Sequence, residues 1–125
     1  HEPIVGFRVV TAAGNGGPAI VGLLEGVTAA RTTGGIASVG IQAFTAAGAP
    51  PASLMVVNSD VSHNSGTGIN ANGSVATIRV ANTNITGNNI GVEANGGSSI
   101  KSYGNNRNDG NANDGGFILP NIPQE

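Results

Sequence analysis

The sequence predicts an all-β fold built as a solenoid, in which short parallel strands are stacked coil upon coil. Residues 54–76 and 77–99 are near copies: Asn58 in the first corresponds to Asn82 in the second, 24 residues later. A repeat of this length is one supersecondary unit that buries its apolar face by stacking on its neighbours. Val and Ile recur at fixed places in each copy, and Asn recurs at the bends. These three observations indicate a β-helix.

The composition suits a narrow coil and excludes several other classes. The 125 residues include 21 Gly, 3% aromatic and 10% charged residues, so small aliphatic side chains must fill the core. A net charge of −2 and regularly placed Val and Ile argue against disorder. The absence of Cys excludes disulfides and thiolate metal sites. Mild acidity argues against nucleic acid as a partner, and no apolar run is long enough for membrane insertion.

The first full coil is expected at residues 20–53. Residues 11–14 are repeated as residues 45–48, and each copy is followed by a proline and an apolar strand. We therefore align residues 18–24 with residues 51–57, an offset of 33.

At the same offset, Gly35-Ile36 is expected to match Gly68-Ile69. The greater length of this coil is assigned to an insertion around residues 44–51, predicted as a loop that leaves the solenoid.

The coil at residues 54–76 has a strand with one buried face, because Leu54 and Val56 alternate with outward neighbours. Val61 and Ile69 are the next inward residues. Asn72-Gly73 closes the coil with a turn, since this dipeptide favours positive φ.

The coil at residues 77–99 repeats the pattern and closes at Asn95-Gly96. Parallel stacking predicts Ile85 on Val61 and Val92 on Ile69. The inward residues of this coil are expected to be Ile78, Val80, Ile85, Val92 and Ala94.

Asparagine columns are predicted at the bends, because an amide can donate and accept hydrogen bonds along a stack. The predicted ladders are Asn58, Asn82 and Asn105, and Asn64, Asn88 and Asn111.

The two ends differ in composition. A last coil is expected at residues 100–116, followed by a C-terminal cap at 117–125 whose prolines stop further strand pairing. The strand at residues 4–10 starts without a polar cap, so either more coils precede it or this end forms a homo-oligomer. We expect one domain, 1–125, as a fragment or C-terminal part of a longer solenoid.

These segments resemble right-handed parallel β-helices of the pectate-lyase-like superfamily, and in particular the C-terminal coils of small bacterial β-helix proteins. The segments that carry the resemblance are residues 57–64, 66–69, 80–88 and 102–106. The resemblance covers residues 20–116 and implies a right-handed helix. Because the superfamily includes polysaccharide lyases, hydrolases, epimerases and adhesins, it does not fix an activity.

Lyases of this fold use calcium held by clustered carboxylates, with an Arg or Lys as base. The repeat places Asp60 in a column with Asn84 and Arg107, and Glu93 beside Asn70. No column holds two acids, so no catalytic residue and no cofactor are predicted.

Asp109 and Asp114 are the one close pair of acids and the weak metal candidates. Glycoside hydrolases need paired carboxylates, and Asp109 begins a segment similar to an EF-hand loop. Asp114 stands where that loop needs Gly, and Pro120 where it needs Glu. Two solvated turn acids are the simpler interpretation.

The candidate carbohydrate-binding residues are three cations and the one tyrosine, and Arg79 aligns with either Lys101 or Ser102. Cations beside an aromatic ring bind acidic sugars by ion pairing and stacking. The alternative is that outward strand positions only need soluble residues. The candidates are Arg79, Lys101, Tyr103 and Arg107.

Three functions are left open, with a secreted or cell-envelope location expected. The preferred one is a non-enzymatic structural or binding module of a bacterial β-helix protein, with polysaccharide as the possible partner. The second is a polysaccharide-active domain whose machinery is incomplete in this segment, and the third is a self-associating solenoid.

Overall fold

The computed structural model describes residues 5–11, 20–30, 38–104 and 106–115. These ranges hold parallel β-strands and no helix. The strands are β1 (Val5–Thr11), β2 (Ile20–Glu25), β3 (Thr28–Ala30), β4 (Val39–Thr45), β5 (Ala52–Val57), β6 (Asp60–Ser62), β7 (Thr67–Asn72), β8 (Ala76–Ala81), β9 (Asn84–Thr86), β10 (Ile90–Asn95), β11 (Ser99–Ser102), β12 (Arg107–Asn108) and β13 (Asn113–Gly115).

The strands form three parallel sheets that the chain visits in a fixed order. Sheet A has the order β1-β4-β7-β10-β13, sheet B the order β2-β5-β8-β11 and sheet C the order β3-β6-β9-β12. Each strand therefore pairs with the strand three places further along the chain. This winding stacks about three turns of a β-solenoid, which confirms the predicted all-β parallel solenoid.

The core is a set of aliphatic columns between the three sheets. Val61 pairs with Ile85, and Ile69 pairs with Val92, as the repeat predicts. Burying a Val or Ile side chain contributes about 1.5–3 kcal/mol, which offsets the entropy of ordering so many short strands. Side chains with no exposed surface include Ile41, Val56, Val61, Ile69, Ile78, Val80, Ile85 and Ile100.

The predicted register of β2 is wrong by one residue. Ile20 pairs with Ala52, an offset of 32 rather than 33. Because side chains alternate across a strand, a one-residue shift moves each one to the opposite face. Val21 and Leu23 therefore point outward, with 79% and 62% of their surface exposed, while Gly22 lies beside the inward Leu54.

The extra length of the first coil is divided between two places. The offset falls from 32 residues between β3 and β6 to 28 between β4 and β7, and to 24 between β5 and β8. Half of the insertion thus precedes β4, and half lies in the loop at residues 46–51. The expected match of Gly35-Ile36 is wrong, because Ile41 is the partner of Ile69, and Phe44 belongs to β4.

Asn64, Asn88 and Asn111 form the predicted ladder inside the solenoid. Asn64 Nδ2 donates to Asn88 Oδ1 at 2.8 Å, and Asn88 Nδ2 donates to Asn111 Oδ1 at 2.9 Å. The same oxygens accept the backbone N–H groups of Asn64 and Asn88. Asn88 Nδ2 also donates to Val61 O at 3.1 Å. Each buried amide thus closes a bend that the strand ladders leave unpaired.

A column of glycines makes room for this ladder. A Cβ atom on Gly40 would lie 2.9 Å from Asn64 Nδ2, and one on Gly68 would lie 2.9 Å from Asn88 Nδ2. A Cβ atom on Gly91 would lie at the same distance from Asn111 Nδ2. The asparagine amides therefore occupy the space that side chains at these strand positions would need.

The second predicted ladder lies on the surface. Asn82 Nδ2 donates to Asn58 Oδ1 at 2.6 Å, and both residues have positive φ, 46° and 51°. Asn105, the third predicted member, and the predicted cap at 117–125 lie outside the described residues. No helix in the described part of the chain is long and apolar enough to span a membrane.

A third ladder, which the sequence did not predict, lies at the bend between sheets B and C. Ser59 N–H donates to Thr83 Oγ1 at 3.4 Å, and Thr83 N–H donates to Asn106 Oδ1 at 2.9 Å. The sequence carries only a weak signal for this ladder, because Ser59 and Thr83 supply hydroxyl groups in two coils whereas Asn106 supplies an amide in the next.

Candidate functional site

Arg79 and Lys101 lie side by side on the outer face of sheet B. They are register partners in β8 and β11, which decides between the Lys101 and Ser102 alignments. Their neighbours Ile78 and Ile100 are fully buried, so alternation directs the two cations outward.

The register follows from a shortened turn before β11. Asn95 pairs with Asn72, but Ser99 then pairs with Thr77, so the later coil has one residue fewer at this corner. Gly96 and Gly97 have φ of 66° and 88°, and two consecutive positive φ values make a tight type I′ turn. Glycine adopts this geometry without strain.

Tyr103 extends the same face beyond the end of β11. Its backbone N–H donates to Val80 O at 3.1 Å, so the chain still follows sheet B at this residue. Ser102 is buried, and alternation therefore places Tyr103 on the side of Lys101. Arg79, Lys101 and Tyr103 together are called the basic face.

The basic face brings like charges together. Strands in a sheet lie about 4.8 Å apart, and like charges directly opposite each other destabilise a strand pair. Both side chains are half-buried, so solvent screens their repulsion only in part. An anion bound between Arg79 and Lys101 would remove this repulsion.

Arg107 is not part of the basic face. It lies in β12 of sheet C beside Asn84, and its Nε is 3.6 Å from Asp109 Oδ2. The two side chains are 77% and 60% exposed, so this ion pair contributes little to stability.

Arg107 lines a shallow polar depression of about 300 Å³ at the corner between sheets B and C, here called the corner groove. The buried hydroxyls of Ser59 and Thr83 donate to backbone carbonyls, whereas the amides of Asn58 and Asn82 are exposed. The groove can therefore offer amide groups and one guanidinium to a hydroxyl-bearing ligand. Its lining residues are Asn58, Ser59, Asn82, Thr83, Asn84 and Arg107.

Asp109 and Asp114 contact different partners. Asp109 faces Arg107, while Asp114 Oδ1 accepts hydrogen bonds from the backbone and side chain of Asn111, at 3.2 and 3.0 Å. Asp114 thereby ends the interior ladder. Within the described ranges, no three His, Cys, Asp or Glu side chains are grouped so that they could hold a metal ion.

The other acids follow the predicted columns. Asp60 pairs with Asn84, which pairs with Arg107, and Asn84 Nδ2 donates to Asp60 Oδ1 at 3.3 Å. Glu93 pairs with Asn70.

The opposite end of the sheet B outer face is apolar. Leu23, Met55, Arg79 and Lys101 follow one another in a single column, so this face changes from aliphatic to cationic along the solenoid. Sequence reasoning missed the exposed Val21 and Leu23, because nearly every residue of β2 is apolar and no alternation fixed its register.

Comparison of the chain with protein-family models, with curated proteins and with solved structures found no match.

Proposed function

We propose that this chain is a non-enzymatic solenoid module that binds an acidic polysaccharide along the basic face. The observation that carries the proposal is the direct pairing of Arg79 with Lys101 on one outward face. Two adjacent cations favour a ligand with repeated negative charge over a neutral one.

A polyuronate fits the chemistry of the face. Its carboxylates can form charge-assisted hydrogen bonds with Arg79 and Lys101, and its apolar sugar surface can pack on the Tyr103 ring. The proposal includes membership of the pectate-lyase-like superfamily, a bacterial source and a secreted or cell-envelope location. The features of this chain that support it are the stacked parallel strands and the interior asparagine ladder.

The test is the melting temperature of the chain with a polyuronate and with a neutral glucan. A ligand that binds only the folded state raises this temperature. We expect a rise with the polyuronate that disappears at high salt, and a smaller or absent rise with the neutral polymer.

Replacing both cations, Arg79→Gln with Lys101→Gln, should weaken polyuronate binding by about tenfold, since each ion pair at the protein surface contributes about 0.2–1 kcal/mol. Arg107→Gln is the matched control on a different sheet and should leave most of the affinity intact. If the double variant and Arg107→Gln lost affinity equally, or if the double variant lost none, the basic face would not be the polyuronate-binding site. Shortening of the polymer in this titration would instead support the polysaccharide-active alternative.

Self-association is the second candidate, and exposed apolar side chains favour it. Val21 and Leu23 project from β2, the edge strand of sheet B in the described structure, at 79% and 62% exposure. An exposed apolar edge strand is a template for pairing with another chain. We propose that this edge pairs with a second copy of the same chain, so that the two β2 strands lie side by side about a two-fold axis. The charged residues of β1 and β2 are Arg8 and Glu25, whose charges are opposite in sign. The paired ends of two copies would therefore carry no net charge from these strands, and charge repulsion would not oppose the pairing.

Val21→Lys with Leu23→Lys should convert such a dimer to a monomer, because charges on the edge strand oppose pairing. The measurement is molar mass by light scattering over a range of concentrations. Thr77→Lys, also outward on sheet B but in an inner strand, is the control and should leave the mass unchanged. A wild-type chain that is monomeric at every concentration would rule out this candidate.

A further inference from the structure

Asn95 stands at a turn whose backbone differs from that of its stacked partner Asn72, although glycine follows both. Ser98 N–H donates to Asn95 O at 3.2 Å, which closes the turn around Gly96. Among the residues that the structure describes, no acceptor lies on Gly96 N–H. Gly73 N–H, in contrast, donates to Asn95 O at 3.2 Å. Within the described residues, the two Asn-Gly pairs therefore differ in that Gly73 N–H has an acceptor and Gly96 N–H has none.

The side-chain amide of Asn95 receives a fixed hydrogen bond. Asn70 Nδ2 donates to Asn95 Oδ1 at 2.8 Å, and Asn70 is only 5% exposed. Gln42 Nε2 donates to Asn70 Oδ1 at 2.7 Å, and Asn70 Nδ2 also donates to Glu93 O at 3.0 Å. Because these contacts hold Asn70 in place, its donor is already aimed at Asn95 Oδ1. Preorganised donors stabilise negative charge that develops on such an oxygen.

We propose that Asn95 is a site of spontaneous deamidation promoted by Asn70. Gly96 N loses its proton to solvent and attacks Asn95 Cγ, which gives a tetrahedral intermediate with negative charge on Oδ1. Asn70 Nδ2 stabilises this charge. The Cγ–Nδ2 bond then breaks, and the nitrogen takes up a proton and leaves as ammonia. Water adds to either carbonyl of the resulting cyclic imide and opens it to aspartate or isoaspartate.

The exposed position of Asn95 allows both steps. Its side chain is open to the water that hydrolyses the imide, and Nδ2 can depart into solvent. The aspartate product keeps the hydrogen bond from Asn70, which becomes charge-assisted and stronger. It also adds a negative charge on the side of sheet A that carries Glu93, two residues earlier in the strand. The isoaspartate product lengthens the backbone inside a tight turn and is expected to weaken the adjacent pairing.

The test is peptide mapping by mass spectrometry after incubation of the folded chain in mildly alkaline buffer. Asn95 is expected to deamidate about tenfold faster than Asn72, the difference that one added hydrogen bond to the reacting oxygen supplies. Asn70→Asp keeps an acceptor for Gln42 but removes the donor, and it should slow the reaction at Asn95 without changing Asn72. Equal rates at the two sites, or an unchanged rate at Asn95 in this variant, would overturn the proposal.

The same chain in urea supplies a control that does not depend on the folding of a variant. Unfolding removes the Asn70 contact and the bond on Gly73 N–H, so the ratio of the two rates should fall towards one. If the ratio is as large in urea as in the folded chain, the local sequence alone sets it, and the role assigned to Asn70 is wrong.

Discussion

Asn88→Ala should lower the free energy of unfolding by about 3–5 kcal/mol, because each buried polar group left unsatisfied costs about 1–3 kcal/mol. Asn88 is 2% exposed. Its removal takes one acceptor from the backbone N–H and one from the side-chain amide of Asn64, whose Nδ2 keeps its bond to Ala29 O, and it takes a donor from Val61 O. No water can replace these contacts without entering the solenoid. The measurement is equilibrium unfolding in urea, with the midpoint falling and the slope unchanged.

Asn82→Gly is the matched control for this prediction. Asn82 belongs to the surface ladder, is exposed and has a φ of 46°, which glycine adopts freely. Its loss should change the free energy of unfolding by about 0.5 kcal/mol or less. If the two variants were equally destabilised, the interior position of the Asn88 ladder would not matter.

Gly68→Ala should lower the free energy of unfolding by about 2–3 kcal/mol through overpacking. The added Cβ would lie 2.8 Å from Gly91 O and 2.9 Å from Asn88 Nδ2. Neither atom can move alone, since one belongs to the neighbouring strand and the other to the ladder. The backbone of Gly68 is not in the left-handed region, so the expected loss comes from crowding and not from strain at this residue.

Gly48→Ala separates the two effects. Gly48 has a φ of 76° and no heavy atom within 4 Å of the added Cβ, so alanine there carries only conformational strain of about 1–2 kcal/mol. In thermal or urea unfolding, Gly68→Ala should therefore lower the free energy of unfolding more than Gly48→Ala does. The opposite ranking would show that the glycine column does not make room for the ladder.

The repeat in the sequence was sufficient to predict the fold and the interior of the later coils. Val61, Ile85, Ile69 and Val92 occupy the expected columns, and the Asn64 ladder is present, because polar and apolar residues alternate clearly there. The same reasoning failed at β2, where apolar residues lie on both faces and only an approximate offset fixed the register.

The candidate site was predictable only in part. The sequence identified Arg79 and Lys101 as neighbours but left a one-residue ambiguity, which the short turn at Gly96 and Gly97 resolves. The sequence did not show that Arg107 lies on a different sheet from Arg79 and Lys101, because the positions of the bends decide which residues belong to sheet B and which to sheet C. The contact of Asn70 with Asn95 runs diagonally between coils, so alignment of equivalent positions could not reveal it.

Hydrogen exchange measured residue by residue tests the central claim, that interior amide ladders hold the coils in register. The backbone N–H groups of Asn64 and Asn88 donate to side-chain oxygens of the next coil. We expect them to exchange as slowly as the core strand amides, by global unfolding, while Gly96 N–H exchanges rapidly. Rapid exchange at Asn64 and Asn88 together with slow exchange in β7 and β8 would contradict the account, because the sheets would then be stable without the ladder.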